Sequence, residues 1–432
     1  MPISDIQYTR ERLPNGLDLV LAPLPKSPTI TAIIIFKTGS RHEPDKYLGI
    51  SHFLEHMVFK GNKVYRTPHD VAAKIEGLGG SFNAFTGKEY TGFHVKVGAE
   101  FSKAALEWLG ALVTSPLIPA EETEMERNVI LEEINMYNDT PMMQIEDIYE
   151  GLVFQGKTLG RNVIGTKKSL SRINGRELKD YFRKNYFSGN AVLVLAGDLE
   201  KIAGKRKKVI VDKYFNFPSP KGEEAGTSSK VMGGKQDTAK IVYKKTDQTH
   251  LILGAKTFSY FDRRRYPLAI LSTIVGGGMS SWAFTEIREK RGLAYYVHGS
   301  SQLHSDSGSF YVGAGLNNNK LEQAIGEIKK LFARAREGLV SPQELKKAKD
   351  QAIGGMALSR ETSSDIAFIL ASEIVARSKV VPFSEEVKII KSVTARELRG
   401  IAEEFFAPEK LRLAMIGPWK KSDEDKFVRL LK

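Results

Sequence analysis

The chain has 432 residues, 41% of them apolar, and a formal net charge of +13. That length exceeds one ordinary core and implies two domains of about 200 residues each, while the apolar share excludes a disordered or fibrous chain. Absence of cysteine excludes disulfides and zinc–thiolate sites, leaving histidine and carboxylate as metal donors; the surplus basic residues alternate with acids and accompany no nucleic-acid motif, so they read as solvated surface with no nucleic-acid partner.

Residues 1–10 hold no apolar core of a secretory signal, and no later run approaches the length of a membrane span. A cytoplasmic protein without a membrane partner is therefore expected. Residues 17–21 and 30–36 read as strands. His52-Phe53-Leu54-Glu55-His56 follows, two imidazoles four residues apart with a carboxylate between them. On a helix all three lie on one face. Two neutral imidazoles at that spacing can hold one zinc ion, and the carboxylate can take a proton from the water that zinc activates. The pattern H-x-x-E-H is the reverse of the commoner H-E-x-x-H metallopeptidase motif. His42, His69, His94, His250, His298 and His304 lack such pairing and read as ordinary.

Residues 79–91 read as a strand followed by a turn, and residues 101–113 as a helix. A catalytic zinc ion takes three protein ligands, so one more donor is needed. The best region for it is the acidic stretch 121–133. Met125 and Val129 are four apart, as are Ile130 and Ile134, which marks a helix, and Pro119 suits its start. Glu126 and Glu133 are seven apart and share a face, whereas Glu132 points about 100° away from Glu133. Residues 217–229, continuing to Gly233-Gly234, are rich in proline, glycine, serine and charge and read as a linker.

Beyond the linker the same series of elements returns. A strand at 251–255 leads to the glycines Gly276-Gly277-Gly278, a strand at 308–314, a helix at 321–335 and another at 344–358. Read alone, three glycines before a helix hint weakly at phosphate binding, since no G-K-[ST] follows. Laying Pro119 on Pro342 puts Glu126 on Lys349 and Glu133 on Met356. The second half thus keeps the scaffold and loses the metal, as in an internal duplication with one active copy.

The stretch Gly49-Ile50-Ser51-His52-Phe53-Leu54-Glu55-His56-Met57-Val58-Phe59-Lys60-Gly61 resembles the zinc helix of the pitrilysin, or insulinase, family of inverzincin peptidases, which includes mitochondrial processing peptidase and small bacterial peptidases. In that family the third ligand is a glutamate in a context like V-I-L-x-E, and here 76 residues separate His56 from Glu133, which closes Val129-Ile130-Leu131-Glu132-Glu133. The resemblance implies metal ligands His52, His56 and Glu133, the general base Glu55, and Glu126 as an acid behind a ligand imidazole. Gly79-Gly80-Ser81-Phe82-Asn83-Ala84-Phe85-Thr86-Gly87-Lys88-Glu89-Tyr90-Thr91 resembles the family's edge strand, on which a peptide docks beside Asn83 and Ala84. Ile287-Arg288 and, seven residues on, Gly292-Leu293-Ala294-Tyr295 match the family's arginine and tyrosine, implying that Arg288 and Tyr295 clamp the peptide and stabilise the oxyanion. Asn62 and Trp282 depart from the family pattern, and neither is a ligand.

The fold class expected is therefore α+β, with two homologous α/β sandwich domains forming half of a clamshell. Residues 1–217 form the zinc-binding catalytic domain, 218–235 the linker, and 236–432 a domain without zinc ligands that supplies Arg288 and Tyr295. The function implied is a zinc metalloendopeptidase, one zinc per chain, that cleaves unfolded oligopeptides as a homodimer. A presequence-processing subunit that needs a different, related partner, and a non-catalytic scaffold of the same family, are the alternatives.

Overall fold

A computed structural model describes residues 5–202, 207–217 and 236–431; the linker expected at 218–235 lies outside the described residues. The chain divides into two compact units. The first is built on six strands: β1 (Thr9–Arg12), β2 (Asp18–Pro23), β3 (Thr29–Phe36), β4 (Ser81–Thr86), β5 (Thr91–Gly98) and β6 (Ala191–Gly197). They lie in the order β1-β2-β6-β3-β5-β4. Only the β2–β6 pairing is parallel. The second unit has β7 (Ala239–Tyr243), β8 (Gln248–Thr257), β9 (Ala294–Leu303), β10 (Gly308–Asn317) and β11 (Leu411–Gly417), in the order β7-β11-β8-β10-β9. Here too one of these pairings is parallel, β7–β11. Setting β2 on β7, β6 on β11, β3 on β8, β5 on β10 and β4 on β9 superposes the two topologies. Apart from the extra edge strand β1, the sheets are copies of one plan.

The run Ile30–Phe36 is buried along its whole length, which requires cover on both faces of the first sheet. One cover is the helix Ser102–Thr114, which follows β5 directly. The other comes from far along the chain, the helix Ser363–Arg377. Its Ile366, Ala367, Leu370, Ala371 and Ile374 pack on Ile33 and Ile35 of β3, Val20 of β2, and Val192 and Val194 of β6. Thr362 caps this helix by accepting from Asp365 N, and Ser363 Oγ lies 3.0 Å from Thr29 Oγ1 and 2.9 Å from Thr31 Oγ1. The second unit is completed in the same way. The helix Pro141–Val153 sets Ile145, Tyr149 and Val153 against Ile252, Tyr311, Ala414 and Ile416. Its opposite face is covered by Arg265–Gly276, Leu321–Glu337 and Ala395–Phe405.

Neither unit is continuous in sequence. The first comprises residues 1–135, 161–229 and 358–383, and the second residues 136–160, 230–357 and 384–432. Each half of the chain lends one helix to the sheet of the other, at matching points of the duplicated plan. Hydrophobic periodicity marks such helices as amphipathic but does not say which sheet they serve. The packing makes a definite demand on stability. Leu370 is fully buried between β3 and β6, so Leu370→Ala is expected to cost about 2–5 kcal/mol. A urea unfolding curve with an unshifted midpoint would contradict that packing. Among the described residues no helix is long and apolar enough to cross a membrane.

The glycine run also has a structural account. A Cβ on Gly276, the last residue of its helix, would stand 2.1 Å from the backbone nitrogen of Gly299 on β9. The helix end therefore approaches the strand too closely for any side chain. That requirement needs no bound phosphate.

Candidate metal centre

The H-x-x-E-H segment forms the helix Ile50–Val58. Gly49 precedes it at φ +90°, and a Cβ there would lie 2.5 Å from the Ile164 carbonyl oxygen. The buried carboxylate of Glu43 accepts from Gly49 N at 2.7 Å and from Ser51 N at 2.8 Å, so it satisfies the open donors of the first turn. Burial pushes Glu43 up to about 7 against the pull of those N–H donors. Ile50, Phe53, Leu54, Met57 and Val58 fill the core, which turns His52, Glu55 and His56 to the other, half-open side.

The acidic stretch forms the helix Ala120–Asp139, with Thr123 N donating to the Pro119 carbonyl at 3.0 Å. Ile130 and Ile134 are buried as their spacing suggests, whereas Met125 and Val129 are 49% and 52% exposed. The core-facing stripe runs instead through Thr123, Glu126, Ile130 and Ile134. A glutamate occupies that stripe because two groups meet it. Glu126 Oε1 lies 2.7 Å from His56 Nδ1, and Oε2 pairs with the Lys60 ammonium. Burial raises the Glu126 carboxyl, but the hydrogen bonds from His56 and Lys60 outweigh it and hold the group below the usual range.

Two turns on, Glu133 Oε2 stands 3.8 Å from His52 Nε2 and 3.8 Å from His56 Nε2. Among the described residues these three form the one group able to hold a metal ion, with donor atoms within 4.8 Å of one another. A zinc ion held by these three residues would need the donor atoms somewhat closer together, so the side chains would draw inward to hold it. The donor chemistry fits as well. The Glu126 carboxylate is placed to accept a hydrogen bond from His56 Nδ1–H, and the neutral tautomer with that proton has its Nε2 lone pair free for a metal. Burial, reinforced by the neighbouring His56, depresses His52 to about 3, so its imidazole is neutral. His56 is raised overall, because contact with Glu126 outweighs its burial. Lone pairs facing a carboxylate repel one another unless a cation lies between them.

Glu55 accepts a hydrogen bond from Thr86 Oγ1 at Oε2, 2.6 Å. Burial raises its pKa, with Thr86 and His56 pulling the other way, a balance that suits a proton acceptor. Thr86 closes β4, the edge strand of the first sheet, on which Asn83 is exposed opposite His94 and Ala84 lies opposite Phe93. Two other polar residues of that motif, Glu89 and Thr91, make structural contacts. Arg41 Nη1 donates to Glu89 Oε1 at 2.6 Å, and Thr91 Oγ1 donates to the Thr38 carbonyl at 2.9 Å.

Arg288 and Tyr295 belong to the second unit. Arg288 sits in a π-helical turn, Phe284–Glu289, with its guanidinium 4.8 Å from the centre of the Phe284 ring. Tyr295, on the edge strand β9, is 78% exposed. Arg291, by contrast, is engaged, 2.7 Å from Glu286 and 3.5 Å from Glu327. Asn62, one of the two departures, is buried and accepts from Val64 N at 2.9 Å and Tyr65 N at 2.8 Å, so it fixes a turn. Trp282, the other, donates to Glu344 Oε1 at 2.7 Å.

Sequence reasoning assigned no role to Lys60, Thr86 or Glu43. The first two lie inside motifs already singled out, but a spacing rule reads only one element at a time. Their partners sit on other elements.

Comparison with known proteins agrees with this geometry. Residues 19–167 match the family model described as insulinase (peptidase family M16), and residues 172–352 match the peptidase M16 inactive domain. An uncharacterized zinc protease of Bacillus subtilis, YmxG, is 31% identical, covering 94% of this chain and 97% of its own. An uncharacterized zinc protease of Rickettsia felis is 32% identical, covering 95% and 98%. In fold, the crystal structure of a protease from Helicobacter pylori matches with a TM-score of 0.88 at 23% identity, covering 96% of this chain and all of that one. A peptidase M16 inactive domain from Pseudomonas fluorescens gives 0.84 at 19% identity, covering 96% and 99%. Two models of one family match successive parts of the chain, two relatives above 30% identity are covered nearly end to end, and the chain belongs to the insulinase (M16) peptidase family.

Proposed function

We propose that this protein is a zinc-dependent metalloendopeptidase that hydrolyses unfolded oligopeptides. The convergence of His52, His56 and Glu133 from two separate helices carries the reading. These three would hold one zinc ion per chain. Once bound, zinc supplies Lewis acidity toward a peptide carbonyl and lowers the pKa of water. Glu55 accepts the proton of the attacking water and passes it to the leaving amine, so that the C–N bond breaks to give a carboxylate and a free amine. Glu126, held ionised by Lys60, keeps His56 in the tautomer that a ligand needs. The open edge of β4 takes the extended peptide by strand addition, with Asn83 and Ala84 beside the bond to be cut. This favours unfolded chains, because a folded segment has no free backbone to pair.

Arg288 and Tyr295 bind the peptide backbone and stabilise the developing oxyanion. The protein acts as a dimer in this reading, with the zinc residues of one copy completed by Arg288 and Tyr295 of the other. Support comes from Arg288, which makes no ion pair among the described residues, and from the exposed Tyr295. Glu55→Gln and Arg288→Ala proteins, each inactive alone, are mixed under conditions that exchange subunits. The mixture should recover about a quarter of the wild-type rate, because half the dimers are mixed and one of their two sites is whole. No recovery, with exchange verified by mass spectrometry, would refute sharing.

A further inference from the structure

The strand proposed to bind the peptide and the acid proposed to move the proton are joined by a single hydrogen bond. Thr86 Oγ1 donates to Glu55 Oε2 at 2.6 Å. The donor has little freedom to leave. Thr86 pairs with Thr91 on β5, and the turn beyond it is closed by Gly87 N donating to the Tyr90 carbonyl at 2.8 Å. That turn is tied down by Ser40 N to the Gly87 carbonyl at 3.1 Å, Arg41 N to the Lys88 carbonyl at 2.9 Å, and the largely buried Arg41–Glu89 ion pair at 2.6 Å. The same short segment ends in Glu43, which caps the helix that carries Glu55. Strand end and helix start are thus anchored to one loop, and the hydroxyl is fixed relative to the carboxylate. Among the described residues Oε1 of Glu55 accepts no hydrogen bond.

We infer that Thr86 is a positioning residue: its hydroxyl pins one oxygen of Glu55 and so presents the other for proton transfer, and it makes the peptide-docking strand the support of the base. This rests on the peptidase reading given above. A glutamate carboxylate on three rotatable bonds otherwise samples several rotamers, and only some of them put an oxygen within reach of a proton.

Three proteins test it: wild type, Thr86→Val, which keeps the shape and loses the hydroxyl, and Thr86→Ser, which restores it. Thr86→Ala stands in if the valine protein does not fold. With a quenched-fluorescent unstructured decapeptide, Thr86→Val should lower kcat by about 10–100-fold at unchanged KM and unchanged zinc content, and Thr86→Ser should recover most of it. Crystal structures of the zinc-free proteins give a readout independent of turnover. Glu55 should occupy one position in wild type and Thr86→Ser and scatter in Thr86→Val. Equal kcat in all three, equal loss in valine and serine proteins, or an unmoved Glu55 in Thr86→Val would each overturn the inference. An inactive wild type with full zinc would instead refute the peptidase reading, and the crystal structures would still decide the role of Thr86.

Discussion

Glu55→Gln is expected to lower peptide hydrolysis by about 10²–10⁴-fold while leaving the metal in place. Glutamine keeps the volume of the side chain and can still meet the Thr86 hydroxyl with its amide oxygen, so the helix Ile50–Val58 has no reason to move. What it loses is the ability to take a proton. The three proposed ligands are other residues, and no hydrogen bond joins any of them to Glu55 among the described residues. The informative measurement is therefore a pair: rate on an unstructured peptide, and zinc per chain by elemental analysis. Lost activity with retained zinc assigns the proton transfer to Glu55. Retained activity would remove the base from the scheme, and lost zinc would make Glu55 part of the metal's support instead.

Glu133→Gln should separate metal binding from fold. This carboxylate faces two imidazole nitrogens at 3.8 Å, too far for hydrogen bonds, and burial keeps its pKa raised. It contributes little to the fold until a cation arrives. Adding zinc to chelator-treated wild type should raise the melting temperature, since a ligand at a thousandfold its Kd stabilises by about 4 kcal/mol. Glu133→Gln should melt close to metal-free wild type and show little of that rise. Activity should disappear with the metal. An undiminished zinc shift in Glu133→Gln would mean that another donor completes the site, and the proposed ligand set would be wrong.

The legibility of this chain follows from how local each feature is. His52, Glu55 and His56 lie on one face of one short helix, so their spacing alone points to the proposed chemistry. Glu133 comes from a different helix, and periodicity narrowed the choice only to the acids of 121–133; resemblance to a family singled it out. The same stretch shows the limit of pattern reading. Met125 and Val129 have helical spacing and stand exposed, while the charged Glu126 is buried because His56 and Lys60 satisfy it. The strands at 30–36 and 251–255 are each found within a residue or a few of their observed ends, since a largely apolar run fits a strand covered on both faces. Thr86 looks like any strand threonine until its neighbour across space is known.

The lending of helices between halves has a consequence for how the protein is made. While the ribosome is still short of residue 377, β2, β3 and β6 have been synthesised, but the apolar surface formed by Ile33, Ile35, Val192 and Val194 has no cover. Nascent chain must therefore wait with a sticky, half-finished sheet until nearly all of it has emerged, and it is during that wait that chaperones and proteases compete for it.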